Sequence, residues 1–110
     1  MKINKGFMAG GTQLLLLTLL SNEDMYGYEI IEKLASQSKN VFKLNEGTLY
    51  PILHKLENKG FLKSYKVKAD NNRLRKYYSI TKKGQKQLVI EKKEWKVFSE
   101  SMNRVVAYEL

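Results

Sequence analysis

The stretch Asn45-Glu46-Gly47-Thr48-Leu49-Tyr50-Pro51-Ile52-Leu53-His54-Lys55-Leu56-Glu57-Asn58-Lys59-Gly60-Phe61 decides how the chain folds. Leu49, Ile52, Leu53 and Leu56 stand at i, i+3, i+4 and i+7, the spacing of one buried stripe along a helix. Asn45 is the short polar residue that caps a helix N-terminus, and Leu44 before it can pack on Leu49 as a hydrophobic staple. Gly60 fits the left-handed position past the helix end, with Phe61 placed to touch Leu56 in a Schellman arrangement. Pro51 breaks the pattern. Inside a helix it deletes one hydrogen bond and crowds the carbonyl of Gly47, at a typical cost of about 3 kcal/mol. Something other than helix propensity must favour proline there, or the helix bends.

Beyond Gly60 the period changes to two. Phe61, Tyr65 and Val67 fall on one side and Lys66 and Lys68 on the other. Asp70-Asn71-Asn72 is turn chemistry, after which Leu74, Lys76, Tyr78 and Ile80 alternate with Arg75, Tyr77 and Ser79. This predicts a β-hairpin. Thr81 then caps a long helix of roughly residues 82–106. On the N-terminal side, Ser21 or Asp24 caps a helix of about residues 26–37 whose stripe is Ile30, Ile31 and Leu34. Before it, Thr12 caps a helix running to about Leu20, with leucines at 14, 15, 16, 17, 19 and 20 occupying every side. Such a helix is buried nearly all round. Residues up to Gly10-Gly11 read as an N-terminal arm. The expected class is mainly α with a small β-hairpin: a winged helix-turn-helix over residues 1–81, then a C-terminal dimerisation helix over 82–110, forming one compact unit.

In a winged helix the third helix enters the major groove of DNA while the hairpin reaches along the backbone. With the leucine stripe inward, Gly47, Pro51, His54 and Asn58 point outward, flanked by Thr48, Tyr50 and Lys55. Gly47 and Pro51 leave a nearly bare surface for close approach, and Thr48, Tyr50 and Lys55 offer donors to phosphates or base edges. For Tyr50 the alternative is a core aromatic beside Leu53, and for His54 an ordinary surface histidine. Charge supports the first reading. Between Lys59 and Lys86 lie ten basic residues, Lys59, Lys63, Lys66, Lys68, Arg73, Arg75, Lys76, Lys82, Lys83 and Lys86, opposed by Asp70 alone, so this window holds the whole formal excess of +9. A charge so concentrated is the footprint of a polyanion. Arg73, Arg75 and Lys76 surround the turn and would lie against phosphates. Tyr77 and Tyr78 can stack on single-stranded bases in principle, but alternation makes Tyr78 a core residue in register with Ile80.

Composition excludes other classes. A chain of 110 residues makes one domain that buries about 65% of its unfolded surface. No cysteine is present, which excludes disulfides and thiolate metal sites and suits the cytoplasm. The longest apolar run, Leu14 to Leu20, falls far short of the ~20 residues of a membrane span. The basic, apolar start is followed by Ser21-Asn22-Glu23-Asp24 rather than by a small-residue cleavage site, so a signal peptide is not expected. One histidine, scattered acids and no phosphate-binding glycine loop leave no enzyme, metal or cofactor site. The basic residues surround a hairpin rather than line one face of a helix, which argues against a membrane-surface protein.

The last helix carries a second signal. Leu88, Trp95 and Met102 are spaced by seven, as are Phe98 and Val105, three residues on from Trp95 and Met102. Together they make an a/d seam with Glu91 as its polar break. A helix of about 25 residues is ~37 Å long, whereas a body of this size has a radius of gyration of about 13 Å. The helix must project, and its apolar stripe needs a partner, either a second copy of the chain or the first helix of its own domain.

The residues closely resemble the PadR family of bacterial transcriptional regulators. Met25-Tyr26-Gly27-Tyr28-Glu29-Ile30 is similar to that family's helix-two motif, and Asn45 to Leu53 to its recognition helix, with Lys55 to Gly60 continuing the match. Arg75-Lys76-Tyr77-Tyr78-Ser79-Ile80-Thr81 resembles the second wing strand and the cap of the last helix, and Gly11-Thr12 the family's opening. The resemblance spans about residues 10 to 88. It implies a homodimer on a pseudo-palindromic double-stranded operator, usually a repressor of detoxification or drug-export genes. The short length is similar to the subgroup with one C-terminal helix. Some members of it bind flat aromatic compounds at the dimer interface beside a tryptophan, which points to Trp95, with Phe98 next to it, as an effector site. Lys55 stands where arginine is common, which keeps the charge but loses bidentate geometry, so a phosphate suits it better than a guanine.

Overall fold

The structure, a computed structural model, describes the backbone of residues 5–108 and the side chains of residues 10–108. The elements run α1 (Lys5–Asn22), β1 (Met25–Tyr26), α2 (Gly27–Gln37), α3 (Glu46–Asn58), β2 (Leu62–Lys68), β3 (Leu74–Ile80) and α4 (Lys82–Tyr108). The strands form one antiparallel sheet in the order β1-β3-β2.

α1 supplies Leu16, Leu17, Leu19 and Leu20 to the core, with Leu14 and Leu15 packed partly against it, so the leucine run is enclosed almost all round. The helix begins earlier than local signals suggest. Of the expected arm, residues 1–4 lie outside the described residues, and residues 5–11 are helical. Thr12 is therefore an interior, buried residue of α1 rather than its cap. Two glycines in a helix cost up to about 1 kcal/mol each, but this end of α1 packs along α4, where the Gln13 amide donates to the Glu91 carboxylate. Tertiary contact outweighs propensity here.

Neither Ser21 nor Asp24 caps α2. Ser21 is still inside α1 and donates its hydroxyl to the Thr18 carbonyl, while Asp24 accepts the Tyr65 hydroxyl at 2.6 Å. The capping group is the Glu29 carboxylate, which takes the Tyr26 N–H at 3.2 Å. The preceding residues pair with β3, Met25 with Tyr78 and Tyr26 with Tyr77, adding a third strand to the expected hairpin.

α3 behaves as its sequence dictates. The Asn45 side chain accepts the Thr48 N–H at 2.9 Å. At the other end Phe61 N–H reaches the Leu56 carbonyl and Gly60 N–H that of Glu57, each at 3.0 Å, with Gly60 at φ +82°. That is a Schellman closure. β2 then runs with its even-numbered residues inward. Leu62 is buried opposite Ile80 and Ser64 lies opposite Tyr78, whereas Tyr65 and Val67, 41% exposed, share the outer face with Tyr77. The apolar alternation of β2 thus belongs to the outer face, where Tyr65 stacks on Tyr77 with centroids 5.7 Å apart and Tyr26 meets Tyr77 edge-on at 5.4 Å.

Thr81 joins the parts. Its hydroxyl donates to the Gly60 carbonyl at 2.6 Å, and the same oxygen accepts the Gly84 N–H at 3.0 Å, capping α4. Gly84 is buried against the Phe61 carbonyl and Ile80, in space that no Cβ can share. From that root α4 runs for 27 residues, about 40 Å at 1.5 Å per residue, and gives the molecule its long dimension of 58 Å. None of the described helices is long and apolar enough to cross a membrane.

Candidate nucleic-acid interface

Burial of Leu49, Leu53 and Leu56, each no more than 1% exposed, fixes the rotation of α3 about its axis. Three fully buried leucines stabilise that orientation by roughly 1.5–3 kcal/mol each. The opposite face then has no freedom, and Gly47, Thr48, Tyr50, Pro51, His54, Lys55 and Asn58 are all exposed. Pro51 sits on this face. The carbonyl it leaves unserved, that of Gly47, belongs to an exposed residue where water can supply the bond, so the cost of the proline is reduced. Tyr50 is intermediate between the two readings of it. The residue is 43% exposed, but its hydroxyl end lies over the start of α2, and burial there pushes its pKa up.

The wing stands beside this face. Register puts Lys66 directly opposite Lys76. Like charges across a ladder destabilise a hairpin, a cost that a bound polyanion would lower. Lys76 is partly relieved by Glu57 of α3 at 3.9 Å, an exposed pair worth little. Glu57 also accepts the Ser64 hydroxyl at 2.6 Å, tying the wing to α3. From sequence Lys66 is one of ten basic residues in the window, with nothing to mark its place opposite Lys76. Only the register reveals it, and the register depends on a turn in which Asn72 adopts φ +64° and Asn71 accepts the Arg73 N–H.

Arg75 and Lys76 face opposite ways. Lys76 shares the side of Ser64 and Tyr78, while Arg75 lies on the outer face with its guanidinium 4.6 Å from the centre of the Tyr26 ring. Arg73 is exposed just past the turn. The hydroxyl of Tyr65 is held by Asp24, and that bond raises its pKa.

Along α4, Leu88 is buried in the core of its own domain and has little surface left for a partner. Trp95 (52%), Phe98 (53%), Met102 (45%) and Val105 (68%) are all open. The Trp95 and Phe98 rings lie 5.7 Å apart, beside a groove of about 330 Å³ floored by Gly10, Gly11 and Leu14 of α1 and edged by Glu91 and Glu94. Among the described residues no group of His, Asp or Glu is placed to hold a metal ion.

Comparison with known proteins agrees with this architecture. The family described as "Transcriptional regulator PadR-like family" matches residues 16–90. A transcriptional regulator from Clostridium thermocellum is 30% identical and superposes with a TM-score of 0.84 over 93% of this chain and 96% of that one. A PadR-like transcriptional regulator from Bacillus cereus is 29% identical, with a TM-score of 0.80 over 92% and 96% of the two chains. The replication termination protein of Bacillus subtilis is 34% identical over 87 residues, covering 72% of this chain and 71% of that protein. The neighbours in structure are regulators of transcription rather than enzymes, and their function implies binding to DNA. With more than half its length matched by the family and its fold superposing on such regulators over more than nine-tenths of the chain, the chain belongs to the PadR-like family of transcriptional regulators.

Proposed function

We propose that the chain is a cytoplasmic, homodimeric repressor that binds a pseudo-palindromic double-stranded operator beside a detoxification or export gene and is released by a small planar aromatic effector. The observation that carries this reading is the Lys66–Lys76 pair, relieved only in part by Glu57, standing next to the exposed face of α3. In the proposal Thr48, Tyr50, Pro51 and His54 meet the major groove, while Lys55, Arg73, Arg75 and Lys76 meet phosphates. Arg75 must leave its place over Tyr26 to do so. Residues 1–81 form the DNA-binding part and 82–110 the pairing helix, with Trp95, Phe98, Met102 and Val105 against the second copy and Leu88 at the root. The effector lies beside Trp95 and Phe98, and Glu91 and Glu94 on the rim favour a cation over an anion.

The test is salt-dependent operator binding. Each neutralised phosphate contributes about 0.9 to the slope of log K against log salt. Lys76→Ala removes one contact per protomer, so the slope of the dimer should fall by about 1.8. Tyr50→Ala should in addition blur the preference for operator over random duplex. An unchanged slope for Lys76→Ala refutes the assignment of the wing. Similarity to the replication termination protein favours a second reading, in which the bound dimer blocks a replication fork. Arrest of replication at a bound site, with no effect on a neighbouring promoter, would select it.

A further inference from the structure

Gly27 opens α2 and is buried, and what covers it is the side chain of Tyr50 from α3. A Cβ at position 27 would lie 2.5 Å from the Tyr50 hydroxyl oxygen, 2.9 Å from Cζ and 3.2 Å from Cε1, so the three nearest atoms all belong to that ring. The backbone of Gly27 is not in the left-handed region, so φ does not demand glycine there. Nor does helix propensity, which ranks alanine well above glycine. What requires glycine is the seat of the tyrosine.

Tyr50 stands on the exposed side of α3, and its χ1 and χ2 rotations would otherwise let the ring sweep widely through solvent. With its tip lodged over Gly27, the ring is held in one position while 43% of the residue stays open. Partial burial, which pushes the pKa of its hydroxyl up, is consistent with that lodging. A side chain ordered before binding loses less entropy on contact with a partner. We propose that Gly27 is a positioning residue for sequence recognition: its missing side chain forms the socket that holds Tyr50 in the orientation in which α3 presents it to DNA. The proposal rests on the reading of α3 as the recognition helix.

Gly27→Ala should leave the fold intact, because the group that must yield is the far end of a side chain with open solvent beside it. Circular dichroism and sedimentation of the variant should match the parent. Operator affinity should fall about tenfold, within the range of one lost base contact, while affinity for random duplex stays within about twofold, since Tyr50 is not counted among the phosphate contacts that set it. The decisive measurement is a double-mutant cycle with Tyr50→Ala. In that background Gly27→Ala should change operator affinity by less than about twofold, because the residue acts only through the ring. Additive losses would overturn the proposal, since Gly27 would then act on DNA or on α2 directly. If Tyr50→Ala alone left operator preference unchanged, the recognition reading would fail instead, and the socket with it. Should Gly27→Ala lose its fold, the double variant, from which the ring is gone, must regain it. A double variant that stays unfolded also overturns the proposal.

Discussion

Gly84→Ala should destabilise the protein even though alanine is the better helix former. In a helix, glycine to alanine gains up to about 1 kcal/mol from propensity. At position 84 the added methyl enters the space of the Phe61 carbonyl and Ile80 Cγ1. That carbonyl is not free to retreat, because it accepts the Thr81 N–H at 3.0 Å. Overpacking against such a neighbour costs up to about 3 kcal/mol, and displacing its hydrogen bond about 1 kcal/mol more. The net loss is about 3 kcal/mol. At about 2.1 cal/mol/K per residue, a chain of 110 residues has an unfolding entropy of about 0.23 kcal/mol/K, so Tm should drop by roughly 13 °C. The control is Gly10→Ala, also helical, where nothing lies within 4 Å of the new methyl and Tm should rise by up to about 4 °C. Thermal melts by circular dichroism at one fixed protein concentration read both, since pairing would make Tm depend on concentration. If Gly84→Ala raised Tm as Gly10→Ala does, the close seating of α4 on the base of the wing would be refuted.

Phe98→Asp together with Met102→Asp should give folded monomers that bind a full operator poorly, because an apolar seam cannot take up unpaired carboxylates. Sedimentation showing the double variant still paired would remove the seam from the interface. The single tryptophan lets fluorescence report on the groove alone: a planar cationic dye should quench Trp95 more strongly than a phenolic acid. Trp95→Ala should weaken the dye while sparing DNA, and a variant that merely dissociates would mark Trp95 as packing. The hydrogen bond to Asp24 holds the Tyr65 phenol above its ordinary pKa of about 10, which means folding favours its neutral form. That contribution is complete below pH ~10 and is lost as pH rises through the raised folded value. Tyr65→Phe should therefore flatten the alkaline fall of stability, and an unchanged profile would discount the bond.

Local signals sufficed where a local structure answers to its own residues. Asn45, Gly60 with Phe61, and Thr81 each do what their side chain or backbone prefers, and the stripe from Leu49 to Leu56 fixed which face of α3 stays open. The failures have a common cause, which is packing between distant segments. Gly10 and Gly11 speak against helix, but contact with α4 carries the helix through them. β1 is two residues long, too short for any period to reveal it. Tyr65 and Val67 alternate like core residues but face outward, where Tyr65 stacks on the Tyr77 ring that Tyr26 of β1 meets edge-on. Alternation separates Arg75 from Lys76 and puts Lys76 on the side of Tyr78, but its pairing with Lys66 depends on register. Tyr50 was seen to be either outward or half-buried. It is both, and Gly27, 23 positions earlier in the chain, left no mark in the sequence of α3.

Leu88 is the last buried residue of α4 among those described, and the family pattern ends at residue 90. A side chain locked in its own core changes only in step with several unrelated neighbours. A side chain that answers to a second copy of itself has a partner that changes whenever it does. On the proposed pairing, the distal part of α4 is therefore where related regulators in one cell can diverge most freely. Differences there would keep their subunits from mixing, while the halves that read DNA stay alike.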